Sequence, residues 1–297
     1  MLKNFEVIMS KISFLGIGLM GLPMAKRLLS EGVELTVWNR TQEKCLSLKE
    51  DGAAVAEDLS EVAQSDIIIT MLADGQVVEE VISMLLPQLT KQHLVIDMSS
   101  TSQKEVISIA DKVESTGARF IDAPVSGGVK GAEEGTLAIM AGSRDERTFE
   151  EANVVFSSMG RATRVGDVGS GQLSKLANQA IVGGTIAIVS EAVLLLERAG
   201  VDSEAFRRAL SGGFADSTIL QLHGKRMSER TFEPGGKVTT QLKDEKNVLE
   251  AAQSLNLELP VTKAIYERYQ DLSENMGKGD LDHSALFLQL LKINNLG

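Results

Sequence analysis

The chain has 297 residues, of which 43% are hydrophobic and 24% are charged, a composition typical of a globular protein with one large or two smaller domains. Its formal net charge of −11 argues against a nucleic acid or an anionic membrane as the main partner, whereas a small anionic substrate stays compatible with it. Cys45 is the single cysteine, which excludes an intrachain disulfide and a cysteine metal cage. A reducing, cytoplasmic setting is therefore expected.

The first ten residues, MLKNFEVIMS, lack the long apolar run and the cleavage site of a signal peptide. We expect a loose tail over residues 1–10, with Met9 as an alternative start. No membrane span is expected, because the apolar run after Lys175 is broken by glycines and contains Asn178 and Gln179. No metal is expected either, since the three histidines have no metal-ligand spacing: His93, His223 and His283.

Up to about Asp167 the chain alternates short apolar runs with helical stretches, for example Leu22–Ser30, Gly75–Leu86 and Gln103–Ser115. This alternation predicts βαβ units and a mostly parallel, doubly wound α/β sheet of the Rossmann type. The strand candidates are 12–18, 34–40, 53–56, 66–72, 93–99, 119–125, 136–142 and 162–165.

After Gly171 apolar residues recur at helical spacing and no convincing strand follows. We predict an α/β domain over residues 1–168 and an all-helical domain over 169–297, entered by one helix of roughly 30 residues, long for a globular protein. A helix of this length, rich in glycine and alanine, is typical of packing between domains or subunits. The helical segments expected are 173–199, 203–210, 243–255, 262–275 and 284–293.

A glycine array follows the first strand candidate and opens a helix, with Gly16, Gly18 and Gly21 in the spacing G-x-G-x-x-G. In this context the array binds a dinucleotide: the glycines allow a tight turn, a close approach of the pyrophosphate, and close helix packing. The second strand candidate ends in Asn39, Arg40 and Thr41 instead of the acid that bonds an NAD ribose. Arg40 can pair with a 2′-phosphate, so NADP(H) is the preferred cofactor and NAD(H) is the alternative. The alternative role for Arg40 is that it stacks on adenine or faces solvent.

Two features predict how a substrate is handled. Ser126, Gly127 and Gly128 follow a strand at the carboxyl end of the sheet, where glycine amides can hold a carboxylate. Lys175 is the one charged side chain between Asp167 and Glu191. Such a lysine can act as a general acid or base, although helix spacing alone would equally allow a surface lysine with its stem on apolar groups.

The segments GIGLMG, DAPVSGGVKGAEEGTLAIMAG, GSGQLSKLANQ and QLKDEKNVLEAA together resemble the β-hydroxyacid dehydrogenase family, in the same order and from Lys11 nearly to the end of the chain. The resemblance implies NAD(P) at the glycine array, a substrate carboxylate at Ser126–Gly128, and Lys175 as the catalytic acid or base. It implies a short hydroxyacid–semialdehyde pair as substrate and product, and a homodimer or homotetramer. Further expected cofactor contacts are Leu19, Met20, Met71, Leu72, Ser100 and Lys243.

The sequence departs from the family pattern at three places. The residue four after Lys175 is Gln179 where asparagine is frequent, with Asn178 one position earlier, so either amide can hold substrate. Gly236 stands where many relatives place an aromatic residue. The segment VWNRT is more similar to the NADP-using glyoxylate/succinic semialdehyde reductases than to NAD-using 3-hydroxyisobutyrate dehydrogenases.

The segments KLANQ, GGFADSTIL and DHSAL are similar to those of tartronate semialdehyde reductases, so tartronate semialdehyde is the expected substrate. The alternatives are the substrates of 3-hydroxyisobutyrate dehydrogenase and of glyoxylate/succinic semialdehyde reductase. A decarboxylating 6-phosphogluconate dehydrogenase is disfavoured by chain length, and an imine reductase by Lys175. A non-catalytic NADP-binding scaffold is the alternative from another functional class.

Overall fold

The computed structural model describes residues 11–296, so the expected tail over 1–10, with Met9, lies outside the described residues. The chain forms two compact units, one ending at Lys175 and the other beginning at Leu176. This division falls within the first turns of the long helix, a few residues after the boundary at 168 that the composition shift predicts.

The first unit contains one nine-stranded sheet, in the order β3-β2-β1-β4-β5-β6-β8-β7, with β9 beside β8. Strands β1 to β6 are parallel, whereas β8 runs antiparallel to β6 and β7, so the predicted mostly parallel sheet is confirmed. The candidate at 119–125 is two strands, because Ala123-Pro124 interrupts the ladder. The strands are β1 (Ile12–Leu15), β2 (Leu35–Trp38), β3 (Ala54–Val55), β4 (Ile67–Thr70), β5 (Leu94–Asp97), β6 (Arg119–Asp122), β7 (Val125–Ser126), β8 (Leu137–Ser143) and β9 (Gly160–Gly166).

Helices cover both faces of this sheet, as continuous apolar strands require. Alternate residues of β1 point to opposite faces, so Phe14 belongs to one apolar cluster with Met24, and Leu15 to the other with Val78. The helices are α1 (Gly21–Ser30), α2 (Leu46–Glu50), α3 (Leu59–Val62), α4 (Gly75–Leu85), α5 (Gln103–Glu114), α6 (Gly128–Glu134) and α7 (Glu146–Phe156).

The second unit is helical over residues 176–296, apart from one isolated bridge between Lys237 and Asp282. Helix α10 was not expected from the sequence, and the expected helix at 262–275 ends in a π-helical turn, Asp271–Asn275. The helices are α8 (Ser170–Arg198), which begins in the first unit, α9 (Ser203–Leu210), α10 (Thr218–Glu229), α11 (Val238–Ser254), α12 (Pro260–Gln270) and α13 (Leu286–Ile293).

Helix α8 also meets the length and composition criteria for a membrane span, which the sequence expectation did not anticipate. Its most apolar 18-residue window has a mean hydropathy of 1.9, and 39% of that window is buried. A long core helix of a globular protein meets the same criteria, so this property alone is weak evidence for a membrane.

The start of α8 is attached to the sheet by a buried carboxylate. Asp122, at the end of β6, accepts hydrogen bonds from the main-chain N–H of Gly169 at 2.7 Å and of Gln172 at 2.8 Å. These donors belong to the first turn, whose N–H groups have no partner inside the helix. Burial raises the pKa of Asp122 to about 6, against the lowering effect of the two hydrogen bonds, and nearby Asp97 raises it further.

The surroundings of this carboxylate leave no space for additional atoms. A Cβ on Gly142 would overlap Asp122 Oδ1, and a Cβ on Gly171 would meet Asp122 Oδ2 and the carbonyl oxygen of Met140. Asp122 itself is completely buried. The contact between β6 and α8 is therefore held at a fixed separation.

The Asp122→Asn variant tests this attachment. One of the two N–H donors would face an amide NH₂ group, so we expect a loss of about 1–3 kcal/mol in the free energy of unfolding. Urea unfolding followed by circular dichroism measures the loss. Asp111→Asn, an exchange of an exposed carboxylate in the same unit, is the control, and equal stability of the two variants would contradict the assignment.

Candidate functional site

The residues predicted to bind cofactor lie at the carboxyl ends of neighbouring parallel strands. Gly16 follows β1, Asn39 follows β2, Met71 follows β4, and Ser100 lies after β5. Because β2, β1, β4 and β5 are adjacent and parallel, these residues share one edge of the sheet. This edge, next to the point where the strand order reverses at β1, is where ligands bind in open α/β sheets.

Two glycines of the glycine loop are required by close main-chain contacts, and the third faces open space. Gly16 has a φ of +103°, and a Cβ there would overlap the carbonyl oxygen of Met71. Gly21 packs on the carbonyl oxygen of Gly16 in the same manner. Gly18 instead faces open space, with no heavy atom within 4 Å of the position of a Cβ.

The end of β2 has one side chain that holds the glycine loop and one that faces solvent. Asn39 Oδ1 accepts a hydrogen bond from the main-chain N–H of Ile17 at 2.9 Å, and its Nδ2 donates to the carbonyl oxygen of Thr41 at 2.9 Å. Arg40 is exposed beside them. Asn39 therefore fixes the conformation of the glycine loop, a role that the sequence did not reveal.

Gln172 connects the first turn of α8 to the loop after β5. Its Nε2 donates to the carbonyl oxygen of Ser99 at 2.7 Å, and its Oε1 accepts from the N–H of Thr101 at 3.1 Å. These are the two chain neighbours of Ser100. Lys175 lies three residues after Gln172, hence on the same face of the helix, and is half-buried.

The Ser-Gly-Gly segment forms the turn between β7 and α6. Ser126 ends β7, and Gly127 and Gly128 have φ values of +142° and +62° where α6 begins. No side chain caps this helix, and no heavy atom lies within 4 Å of a Cβ position at Gly128. Open space therefore lies at Gly128, where α6 begins without a side-chain cap.

In the second unit the two candidate amides form a hydrogen-bonded chain. Asn178 Nδ2 donates to Gln179 Oε1 at 3.0 Å, and Gln179 Nε2 donates to Asp244 Oδ2 at 2.7 Å. Lys243 Nζ lies 3.7 Å from Asp244 Oδ1. Asp244, which together with Lys243 forms the KD segment, therefore orients the Gln179 side chain.

Two histidines that are far apart in sequence meet in this unit, against the expectation from spacing. His223 Nε2 lies 3.2 Å from His283 Nε2, and the ligand atoms of His223, Asp282 and His283 are all within 4.8 Å of one another. The carboxylate oxygens of Asp282 are already used, because they contact the N–H groups of Gly235 and Gly236, Arg226 Nη1, and the N–H and Oγ of Ser284.

An arginine contacts the carboxylate of this cluster. Arg226 Nη1 lies 2.6 Å from Asp282 Oδ2 and places a positive charge beside the carboxylate that a metal would need. Burial lowers the pKa of His283 to about 4, although Asp282 opposes this shift. Burial would raise the pKa of Asp282, but the hydrogen bond from Ser284 and the neighbouring His223, with Nδ1 3.5 Å from Oδ1, hold it well below its usual range.

Gly236 lies against this histidine pair. The three atoms nearest to a Cβ at position 236 all belong to the His283 ring, starting with Cε1 at 3.4 Å. A side chain at this position would therefore contact the imidazole.

Comparisons with known proteins agree with this arrangement. Residues 11–169 match the NAD binding domain of 6-phosphogluconate dehydrogenase, and residues 169–290 match the NAD-binding domain of NADP-dependent 3-hydroxyisobutyrate dehydrogenase. The chain is 43% identical over 283 residues to 2-hydroxy-3-oxopropionate reductase of Escherichia coli (strain K12), covering 93% of this chain and 95% of the relative. The chain belongs to the β-hydroxyacid dehydrogenase family.

Two other relatives extend the comparison. Glyoxylate/succinic semialdehyde reductase 1 of Arabidopsis thaliana is 33% identical, with 93% of this chain and 96% of the relative covered. The structure of Mycobacterium tuberculosis 3-hydroxyisobutyrate dehydrogenase with L-serine has a TM-score of 0.86 at 28% identity, with 95% of this chain and 99% of that chain covered. As a β-hydroxyacid dehydrogenase, the protein is an NAD(P)-dependent oxidoreductase.

The glycine loop fits the cofactor of the family. Helix α1 begins at Gly21 without a side-chain cap and without an acid in its first turn, so its N–H groups and dipole favour a pyrophosphate. The open space at Gly18 allows the phosphates to approach the backbone. Near the end of β2 the exposed Arg40 carries the positive charge that pairs with a 2′-phosphate.

The Arg40→Ala variant tests the preference for NADP(H). Loss of a charge-assisted contact of about 1.5–3 kcal/mol should weaken NADPH binding roughly ten- to hundredfold and leave NADH binding nearly unchanged. Fluorescence titration with both dinucleotides measures the two dissociation constants. Lys44→Ala, which removes an exposed cation just after β2, is the control. Equal losses for NADPH and NADH would show that Arg40 does not read the 2′-phosphate.

Proposed function

We propose that the protein reduces tartronate semialdehyde (2-hydroxy-3-oxopropanoate) with NADPH. The observation that carries this proposal is the 43% identity, over 93% of the chain, to a 2-hydroxy-3-oxopropionate reductase. L-Serine, named with the Mycobacterium tuberculosis relative, also has a carboxylate and a β-hydroxyl group and supports a short substrate of this type. The alternatives are 3-hydroxyisobutyrate and the substrates of glyoxylate/succinic semialdehyde reductases.

The substrate carboxylate binds to the Ser126 hydroxyl and to the amides of Gly127 and Gly128. The missing side-chain cap of α6 and the open space at Gly128 support this role, because the first N–H groups of a helix have no partner inside it. Asn178 and Gln179 supply further hydrogen bonds to the substrate. Asp244 holds Gln179 in a single orientation, which lowers the entropy lost when substrate binds.

Lys175 acts as the general acid in reduction and as the base in the reverse reaction. Bound NADPH supplies the hydride, and the carbonyl oxygen gains negative charge as the hydride arrives. The Lys175 ammonium stabilises this charge and transfers its proton to the oxygen. Its placement is supported by Asp122 and Gln172, which hold the preceding helical turn against β6 and the loop after β5.

The cofactor contacts proposed for the dinucleotide follow the carboxyl edge of the sheet and the KD segment. Met71 lies against the Gly16 turn, and the N–H of Leu72 donates to Ser99 Oγ at 2.9 Å, which supports their inclusion. The proposed set is Gly16, Gly18, Leu19, Met20, Gly21, Asn39, Arg40, Thr41, Met71, Leu72, Ser100 and Lys243. The proposed domain boundaries stay at 1–168 for the dinucleotide domain and 169–297 for the helical domain.

A kinetic panel tests the substrate. We expect the highest kcat/KM for NADPH oxidation with tartronate semialdehyde, compared with glyoxylate, succinic semialdehyde and methylmalonate semialdehyde. A higher kcat/KM with another of these aldehydes would identify that aldehyde as the substrate instead. Tight NADPH binding without oxidation by any of the four would favour a non-catalytic scaffold.

The Lys175→Ala variant tests the catalytic acid. Removal of a general acid should lower kcat by roughly 10²- to 10⁴-fold while the dissociation constant for NADPH stays within about twofold. Lys175→Arg keeps the positive charge, but a guanidinium group does not readily release its proton, so this variant should also lose turnover. Lys263→Ala, on the surface of α12, is the control. Near wild-type turnover in Lys175→Ala would overturn the assignment.

The protein is proposed to work as a cytoplasmic homodimer or homotetramer with a small carboxylate as ligand, and without nucleic acid or membrane. An exposed apolar stripe on α8 supports self-association. Ile181, Ile188 and Leu195, seven residues apart, are 67%, 61% and 70% exposed. Burial of such side chains stabilises an assembly by about 25 cal/mol per Å² of apolar surface.

Light scattering of Ile188→Glu tests the assembly. We expect a smaller mass than that of the wild type, because a carboxylate would be buried in the interface. Val261→Glu changes a similarly exposed apolar residue on α12, 69% exposed, and should leave the mass unchanged. An oligomer that persists in Ile188→Glu would place the interface elsewhere.

A further inference from the structure

A buried carboxylate on α11, which the proposed reaction does not use, is part of the same hydrogen-bond network as Gln179. Glu245 is completely buried, and its Oε1 accepts from Gln241 Nε2 at 2.8 Å. Its Oε2 is buried without a hydrogen-bond partner among the residues described. A Cβ on Gly183 of α8 would overlap Oε1, so the carboxylate lies directly against that helix.

Gln241 links this carboxylate to α8. The amide Nε2 of Gln241, itself 1% exposed, also donates to the main-chain carbonyl oxygen of Gln179 at 3.1 Å. Its Oε1 lies 3.3 Å from His283 Nδ1. Since Nε2 serves two acceptors, Oε1 is the acceptor for His283, and the orientation of the amide is determined from three sides.

The position of Glu245 is unfavourable for folding. Burial, reinforced by the neighbouring Asp244, raises its pKa to about 7 against the lowering effect of Gln241. The groups that face it are Gln241 and Asp244 on its own helix and Tyr269 on α12, whose pKa Glu245 raises in addition to the effect of burial. A buried acid without a cationic partner weakens the folded state, so a functional role is the better explanation.

We propose that Glu245 is a positioning residue of the substrate site, which acts through Gln241 on the turn of α8 that carries Gln179. The carboxylate orients the Gln241 amide, this amide fixes the Gln179 main chain, and Asp244 fixes the Gln179 side chain. A turn held at both its backbone and its side chain presents its amides to substrate in one conformation. This inference rests on the proposed role of Asn178 and Gln179 in substrate binding.

The variant Glu245→Leu separates positioning from structural damage. Replacing the buried acid by an apolar side chain of similar size should raise the melting temperature, because the desolvation cost disappears. At the same time we expect KM for the aldehyde to rise about tenfold, with the NADPH dissociation constant unchanged. A variant that is merely destabilised would not show a higher melting temperature together with a higher KM. Glu245→Gln keeps an acceptor for Gln241 and should restore KM to within about twofold of the wild type.

The pH dependence gives a second measurement. The pKa of Glu245 in the folded protein is about 7, above the ordinary value of 4.5, so its contribution to stability is fully present below about pH 4.5 and is lost as pH rises through 7. The melting temperature of the wild type should therefore fall between about pH 4.5 and pH 7 relative to that of Glu245→Gln, and follow it above pH 7. Glu250→Gln, an exposed exchange on the same helix, is the control and should follow the wild type.

The outcomes distinguish this inference from the proposed function. A wild type that reduces none of the four aldehydes would refute the proposed function, and the positioning role with it. A wild type that is active, together with wild-type KM in Glu245→Leu, would refute the positioning role alone. A rise in KM for Glu245→Leu that Glu245→Gln does not reverse would also refute it, because the carboxylate would then not act as an acceptor for Gln241.

Discussion

The structure depends on one buried carboxylate. Asp122 ends a strand of the sheet and accepts the first free N–H groups of the 29-residue helix α8, the element that continues into the second unit. A charge in this place is costly to desolvate, and the raised pKa reflects that cost. Its partners are main-chain donors that have no alternative acceptor inside the helix, so the cost is offset by satisfying both. The glycines around Asp122 keep the separation constant, and Lys175 follows one turn later.

Polar side chains use different hydrogen-bond partners in the two units. In the first unit the polar groups stand at strand ends and use the main chain, as Asn39 does for Ile17 and Gln172 for Ser99. Parallel strands bring these ends to one edge without any long side chain. In the second unit the helices have no such edge, so side chains bond to side chains, and a network runs from Asp282 through the histidine pair to Gln241. Buried networks of this kind specify one packing arrangement but lose much when one member changes.

The mostly parallel sheet and the glycine loop were predictable, because apolar runs of four to seven residues and the G-x-G-x-x-G spacing depend only on local sequence. The cap of α8 was not, since Asp122 lies 47 positions before Gly169 and only the folded sheet brings them together. The meeting of His223 with His283, 60 positions apart, has the same origin. Helix α10 was missed although Ser217 caps it through the N–H of Leu220, because Gly224 interrupts its apolar spacing. The role of Asn39 in holding Ile17 has no local sequence pattern.

The contact between Gly183 and Glu245 restricts the order in which these two positions can change. Any side chain at position 183 would occupy the space of the Glu245 carboxylate, so a glutamate at 245 requires glycine on the facing helix. Glycine inside a helix costs about 1 kcal/mol relative to alanine, and without the glutamate nothing offsets that cost. A lineage can therefore acquire the glutamate only after the helix has already been weakened at 183. A larger residue fits at 183 only when the glutamate is absent, so the residues allowed at the two positions depend on each other.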